Sequence, residues 1–155
     1  ANGSPWRYGM IIRRAVPEDV SELHKMLIDM YSRIEIPASP LSKNKILAVI
    51  KETMETGIVI VAEVEGKIIG SLGGVASCDW WSDEKTLGDM WFYVTPDKRN
   101  SRAAVKLVKC FIKIGKEIKM KVKLGHYYSG DIERKDKFFD RLGFVRTGSL
   151  YTEGN

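Results

Sequence analysis

Three cations, Lys98, Arg99 and Arg102, crowd one junction in "YVTPDKRNSRAAVKLV" (93–108), where a β-rich run turns at Pro96 and a helical pattern begins. A helix N-terminus carries unsatisfied N–H groups and the positive end of a dipole, so it suits an anion such as phosphate without any special side chain. The three side chains add formal charge there, and Lys106 lies one turn beyond Arg102 on the same face. A solvated helix start is the plain alternative, and spacing alone does not decide between the two. The motifs GxxxxGK(S/T) and GxGxxG are both absent, so neither a nucleotide loop nor a dinucleotide fingerprint explains the cluster.

Other residues could also do chemistry. "CDWWSDEK" (78–85) sets Trp80 and Trp81 beside three acids. Aromatic faces and carboxylates together can hold a cationic amine, while loop tryptophans that cap a core or join a dimer are an equal reading. His126 stands at a strand end, where a partnered histidine is commoner than a base. Cys78 and Cys110 are far apart, without a CxxC motif and with only two histidines in the chain, which points to buried thiols rather than to a metal or a disulfide.

The elements that must position these groups follow from periodicity. "MIIRRAV" (10–16) is a strand, and Pro17-Glu18-Asp19 opens a helix over about 18–31 with Val20, Leu23, Leu27 and Met30 on one face. A second helix over about 40–55 stops at Gly57. Two strands flank Glu65-Gly66-Lys67, a hairpin signal, and "TLGDMWFYVTP" is a further strand. The helix over about 101–119 is apolar on one side and lysine-rich on the other; "KVKLGHYY" is a strand, "DIERKDKFFDRLG" a short helix and "FVRTGSLYTE" a last strand. The order β-α-α-β-β-β-α-β-α-β predicts an α/β (α+β) three-layer domain, with a mixed, mostly antiparallel sheet and helices on both faces.

With 155 residues, 44% apolar and 29% charged, the chain is expected to be one soluble domain around one ordinary core. The opening residues 1–9 have no periodicity and read as a vector-derived or disordered tail, leaving 10–155 as the domain. No apolar run approaches the ~18 residues of a membrane span and no secretory pattern opens the chain, so a cytoplasmic location is expected. Charge is uneven. Between Asp97 and Lys123 ten Lys/Arg face two acids, a local +8 in a chain of net +5, so the remainder is net negative. Such asymmetry points to an anionic partner at this segment.

The same stretch resembles a known family, the GNAT superfamily of N-acetyltransferases. Their hallmark is a strand ending in Val-x-Pro and a loop of the form Arg/Gln-x-x-Gly-x-Gly/Ala around the pyrophosphate of acetyl-coenzyme A. Val94, Pro96, Arg99 and Ala104 stand in register with it, "FFDRLGFVRTGS" is similar to the family's late helix-strand signature, and "MIIRRAVPEDV" to its start. The resemblance implies a cofactor loop through Lys98, Arg99, Asn100, Ser101, Arg102, Ala103 and Ala104, and a thioester carbonyl polarised by backbone N–H groups from Phe92, Tyr93 and Val94. It implies Asp89 as the acid that takes the amine proton, with Glu63 as a second candidate, and Trp80, Trp81 and His126 on the acceptor side. Two departures stand out. Arg102 occupies the first loop glycine's place. Phe139, beside the cofactor, occupies that of a tyrosine that protonates the leaving thiolate, which leaves Tyr127 or Tyr128 as the nearest hydroxyl.

An acetyl-CoA-dependent acetyltransferase acting on a small-molecule or protein amine, without a metal and with a homodimer as its assembly, is therefore the leading expectation. A nucleic-acid-binding module built on the lysines of 98–123 is a second, which an acetyltransferase of aminoacyl-tRNA would merge with the first. A catalytically silent cofactor binder is a third.

Overall fold

The nearly continuous apolar run "IVIVAEV", buried on both faces, lies at the heart of the sheet. The computed structural model describes residues 9–35, 39–99, 101–126 and 131–154. Most of the 1–9 tail, Asn100, Tyr127 and Tyr128 lie outside these. Strands β1 (Ile11–Arg14), β2 (Ile58–Val64), β3 (Lys67–Cys78), β4 (Lys85–Val94) and β5 (Lys121–Lys123) pair in the order β1-β2-β3-β4-β5, antiparallel throughout except for the parallel β4–β5 pair. β2 and β3 are joined by Glu65-Gly66, both at positive φ (51° and 78°), as a tight hairpin turn matching strand twist requires.

Four helices cover the sheet: α1 (Val20–Ser32), α2 (Lys43–Thr56), α3 (Ala103–Glu117) and α4 (Ile132–Arg141). The period-2 strand divides its side chains between two layers. Ile58, Ile60, Ala62 and Val64 pack with Leu107, Val108 and Phe111 of α3, and Phe138 of α4 joins them; Val59 and Val61 pack with Leu23 and Leu27 of α1 and Ile50 of α2. The expectation of one core is thus corrected to two, one on each side of the sheet.

Two further expectations change. The last strand is not formed: residues 144–154 carry no regular structure, and nearly all are exposed. Gly57 does end α2, but at φ −124° rather than in a left-handed cap. Its need is for space, since a Cβ there would lie 2.3 Å from the Gly74 carbonyl oxygen.

Candidate functional site

β4 is paired along its whole length to β3, but to β5 only through Thr86, Leu87 and Gly88. From Asp89 to Val94 no strand among the described residues pairs with the β5 side of β4, which opens into a gap. The register with β3 shifts between Gly73, opposite Trp91, and Gly74, opposite Asp89, so Met90 is an extra residue that bends β4 where the gap begins. Two adjacent glycines permit the bend. A Cβ on Gly73 would meet the Trp91 ring at 2.4 Å, and one on Gly74 would meet Phe111 at 2.5 Å and the Gly88 carbonyl at 2.6 Å. Trp91 is buried with its indole N–H on Ser71 Oγ (3.0 Å), which in turn donates to the Ile60 carbonyl (2.9 Å).

The backbone direction along β4 follows from one bond. Thr95 N–H donates to the Ile69 carbonyl (2.9 Å), so Tyr93 also faces β3, while the N–H and C=O groups of Phe92 and Val94 face the gap. Of the three expected backbone donors, Tyr93 is therefore turned away. Its side chain instead crosses to the α1 layer, where its hydroxyl donates to Asp29 (2.6 Å).

Asp89 sits half-buried at one end of the gap, with Oδ1 accepting from Gly125 N–H (3.0 Å). Burial pushes its carboxyl up to about 6, against the pull of that N–H and of nearby His126. His126 lies flat on Phe139 (ring centroids 5.8 Å apart, 8° between planes), and Phe139 meets Phe138 and Phe144 edge-on. Phe138 lies 6.3 Å from Phe92, so α4 lays an aromatic wall along the gap.

At the other end, about 17 Å along the strand from Asp89, the chain turns through Pro96–Lys98 into α3. Ser101 Oγ donates to the Lys98 carbonyl and accepts from Ala103 N–H (3.3 Å). The N–H groups of the first α3 turn have no acceptor four residues back and point out of the helix end. Arg102 caps the helix at φ 66°, ψ 8°, with its side chain exposed. The place expected to hold a glycine does require the left-handed conformation. Arg99 folds inward, its Nε on the Val94 carbonyl (3.2 Å) and its guanidinium 5.5 Å from the centre of the Tyr93 ring.

Glu63 is not brought to this gap. It pairs with Arg13 (3.2 Å), which also binds Asp19 (2.7 Å), and stands opposite Ile68, six residues along β3 from Gly74. Trp80 and Trp81 tip the β3–β4 hairpin at 92% and 68% exposure, packed edge-to-face on each other, so neither caps the core. Asp79 in that tip is held by Lys123 (2.9 Å). Neither the His126–Phe139 stack nor the Gly125 bond to Asp89 was legible from residue order, because both join segments far apart in the chain.

No family model and no curated protein matches the sequence. Solved structures do match it in fold. A predicted acetyltransferase with acetyl-CoA from Clostridium acetobutylicum is 15% identical, with a TM-score of 0.74 over 94% of this chain and 96% of that one. The ribosomal-protein-alanine N-acetyltransferase of Brucella melitensis is 15% identical, with a TM-score of 0.72 over 94% and 99%. The aminoglycoside N-acetyltransferase AAC(6')-Iy, in complex with a bisubstrate analogue joining CoA to acetylneamine, is 16% identical, with a TM-score of 0.74 over 94% and 97%.

Proposed function

The chain has the GNAT acetyltransferase fold, and from that premise we propose that it transfers an acetyl group from acetyl-CoA directly to a primary amine. The observation that carries the reading is the opened edge of β4, with the α3 N-terminus and its basic turn at one end and a carboxyl raised to about 6 at the other. A ligand with phosphate at one end, a thioester at the other and a linear arm between fits that layout. The arm lies along Phe92 and Val94, whose gap-facing N–H groups are placed to hold amide oxygens and, nearest the bend, the thioester carbonyl. The pyrophosphate takes the α3 N-terminus, with Arg102 and Lys98 at its flank.

Asp89 is the base. A carboxyl near 6 is ionised at neutral pH yet basic enough to draw a proton from the amine as it attacks, directly or through water. The acceptor approaches from the end opposite the phosphate turn, the end where the hairpin carries Trp80, Trp81, Asp83 and Glu84. Exposed aromatic faces with carboxylates beside them favour an amine of positive charge.

Thermal unfolding with and without acetyl-CoA tests this reading. Cofactor at 100 times its dissociation constant should add roughly 2.7 kcal/mol of stability, which is several degrees for a chain of this size. No shift at millimolar acetyl-CoA would sink it.

A further inference from the structure

We propose that His126 is the group that returns a proton to the departing sulphur, so that Asp89 and His126 share the base and acid work at one end of the gap. This rests on the acetyl-transfer reading above. His126 lies three residues past the last β5 pair, at Lys123, and the Gly125 N–H bond to Asp89 (3.0 Å) ties its segment to the bend of β4. Its ring is held rather than loose. One face lies on Phe139, Nε2 is 3.7 Å from Asp136 Oδ1, and the other oxygen of Asp136 is 3.4 Å from Arg146 Nη1. The side chain keeps 20% exposure, enough to meet a ligand in the gap.

Among the described residues, the charged groups facing the ring include Asp89 from β4, Asp136 from α4 and, through Asp136, Arg146 from the C-terminal segment. The phenyl rings of Phe138, Phe139 and Phe144 that wall this end have no proton to give. A thioester whose carbonyl lies near the bend of β4 would have its sulphur between Asp89 and this ring.

The proton count closes. The amine lone pair attacks the carbonyl carbon, a C–N bond forms, and the amine proton passes to the Asp89 carboxylate. The C–S bond breaks, its electron pair goes to sulphur, and the imidazolium of His126 supplies the proton that makes the thiol. Solvent then carries the proton on Asp89 to the neutral imidazole, leaving amide, thiol and both residues as they began.

The test needs no acceptor. The thiol of bound CoA is titrated by its thiolate ultraviolet absorbance in the unaltered protein and in His126→Gln. An imidazolium at the sulphur lowers a thiol below its free value of ~8.5, so the bound thiol should titrate about one pH unit lower in the unaltered protein than in the variant. Equal titration in the two would overturn the proposal. If the variant misfolds, the His126 imidazole resonances of the unaltered protein serve instead. Their titration should move to higher pH with CoA but not with desulpho-CoA, and an identical response to both would overturn the proposal. Failure of CoA to bind the unaltered protein would sink the acetyl-transfer reading and this inference together, whereas binding with equal titrations sinks only the inference.

Discussion

At the scale of single residues, Asp89 and Arg102 each hold a costly state. Asp89 is raised because the folded chain dehydrates its charge, so its contribution to stability is fully present below its unfolded value of ~3.9 and is lost as pH rises through about 6. Asp89→Asn should therefore raise the melting temperature at pH 8 and leave it nearly unchanged at pH 4. The same substitution should lower kcat by about 100-fold or more and remove the acid limb near pH 6 from kcat/KM, with cofactor binding retained. A pH–rate profile beside pH-dependent melting checks both halves, and an acid limb that survives would clear Asp89 of the base role. Arg102 shows φ 66°, which costs a side-chain-bearing residue about 1 kcal/mol more than glycine. Arg102→Gly should thus stabilise the fold by up to that amount while weakening acetyl-CoA several-fold through loss of a phosphate-side cation. Calorimetric titration and denaturant midpoints separate the two effects, and tighter binding would show that the arginine merely occupies the turn. From sequence, the glycine's place was legible because a motif surrounds it, but the state of Asp89 was not, since Gly125 and His126 reach it only through folding.

At the scale of elements, the bend in β4 rests on two glycines of the neighbouring strand. Gly74→Ala sets a Cβ 2.6 Å from the Gly88 carbonyl, a backbone atom that cannot rotate away. About 2–3 kcal/mol of destabilisation is expected, read as a lower urea midpoint at unchanged slope, together with loss of cofactor binding as the gap closes or shifts. Most elements were legible because each has its own signal. Glu65-Gly66 marks the hairpin, Leu23 and Leu27 mark the buried face of α1, and Leu107, Val108 and Phe111 that of α3. The stretch 144–154 was misread for the same reason, since Val145 and Tyr151 are residue types that favour strands yet stand 82% and 90% exposed. β-propensity describes fit to a half-buried surface, and without such a surface it forms nothing. The β4–β5 gap could not be read at all, because where two strands part is a property of their pairing.

At the scale of the whole molecule, charge is sorted. Arg102, Lys106, Lys109, Lys113 and Lys116 stand exposed at three- and four-residue steps along α3, while Asp83 and Glu84 stand exposed at the hairpin tip. Like charges at such spacing destabilise a helix by a few tenths of a kcal/mol per pair, yet the stripe begins at the α3 N-terminus and its field draws anions toward it. The association rate for acetyl-CoA should fall several-fold between 20 mM and about 500 mM salt, and Lys106→Glu should flatten that dependence in stopped-flow binding. No helix among the described residues is long and apolar enough to cross a membrane. The opened edge of β4 has one more consequence, for how the protein keeps. Gap-facing N–H and C=O groups at Phe92 and Val94 are a template for a foreign strand whenever nothing lies along them, and among the described residues the Arg99 bond to the Val94 carbonyl blunts that edge. The carrier arm that brings the acetyl group would then also serve as the strand's missing neighbour, and protein emptied of it would be the form that clumps.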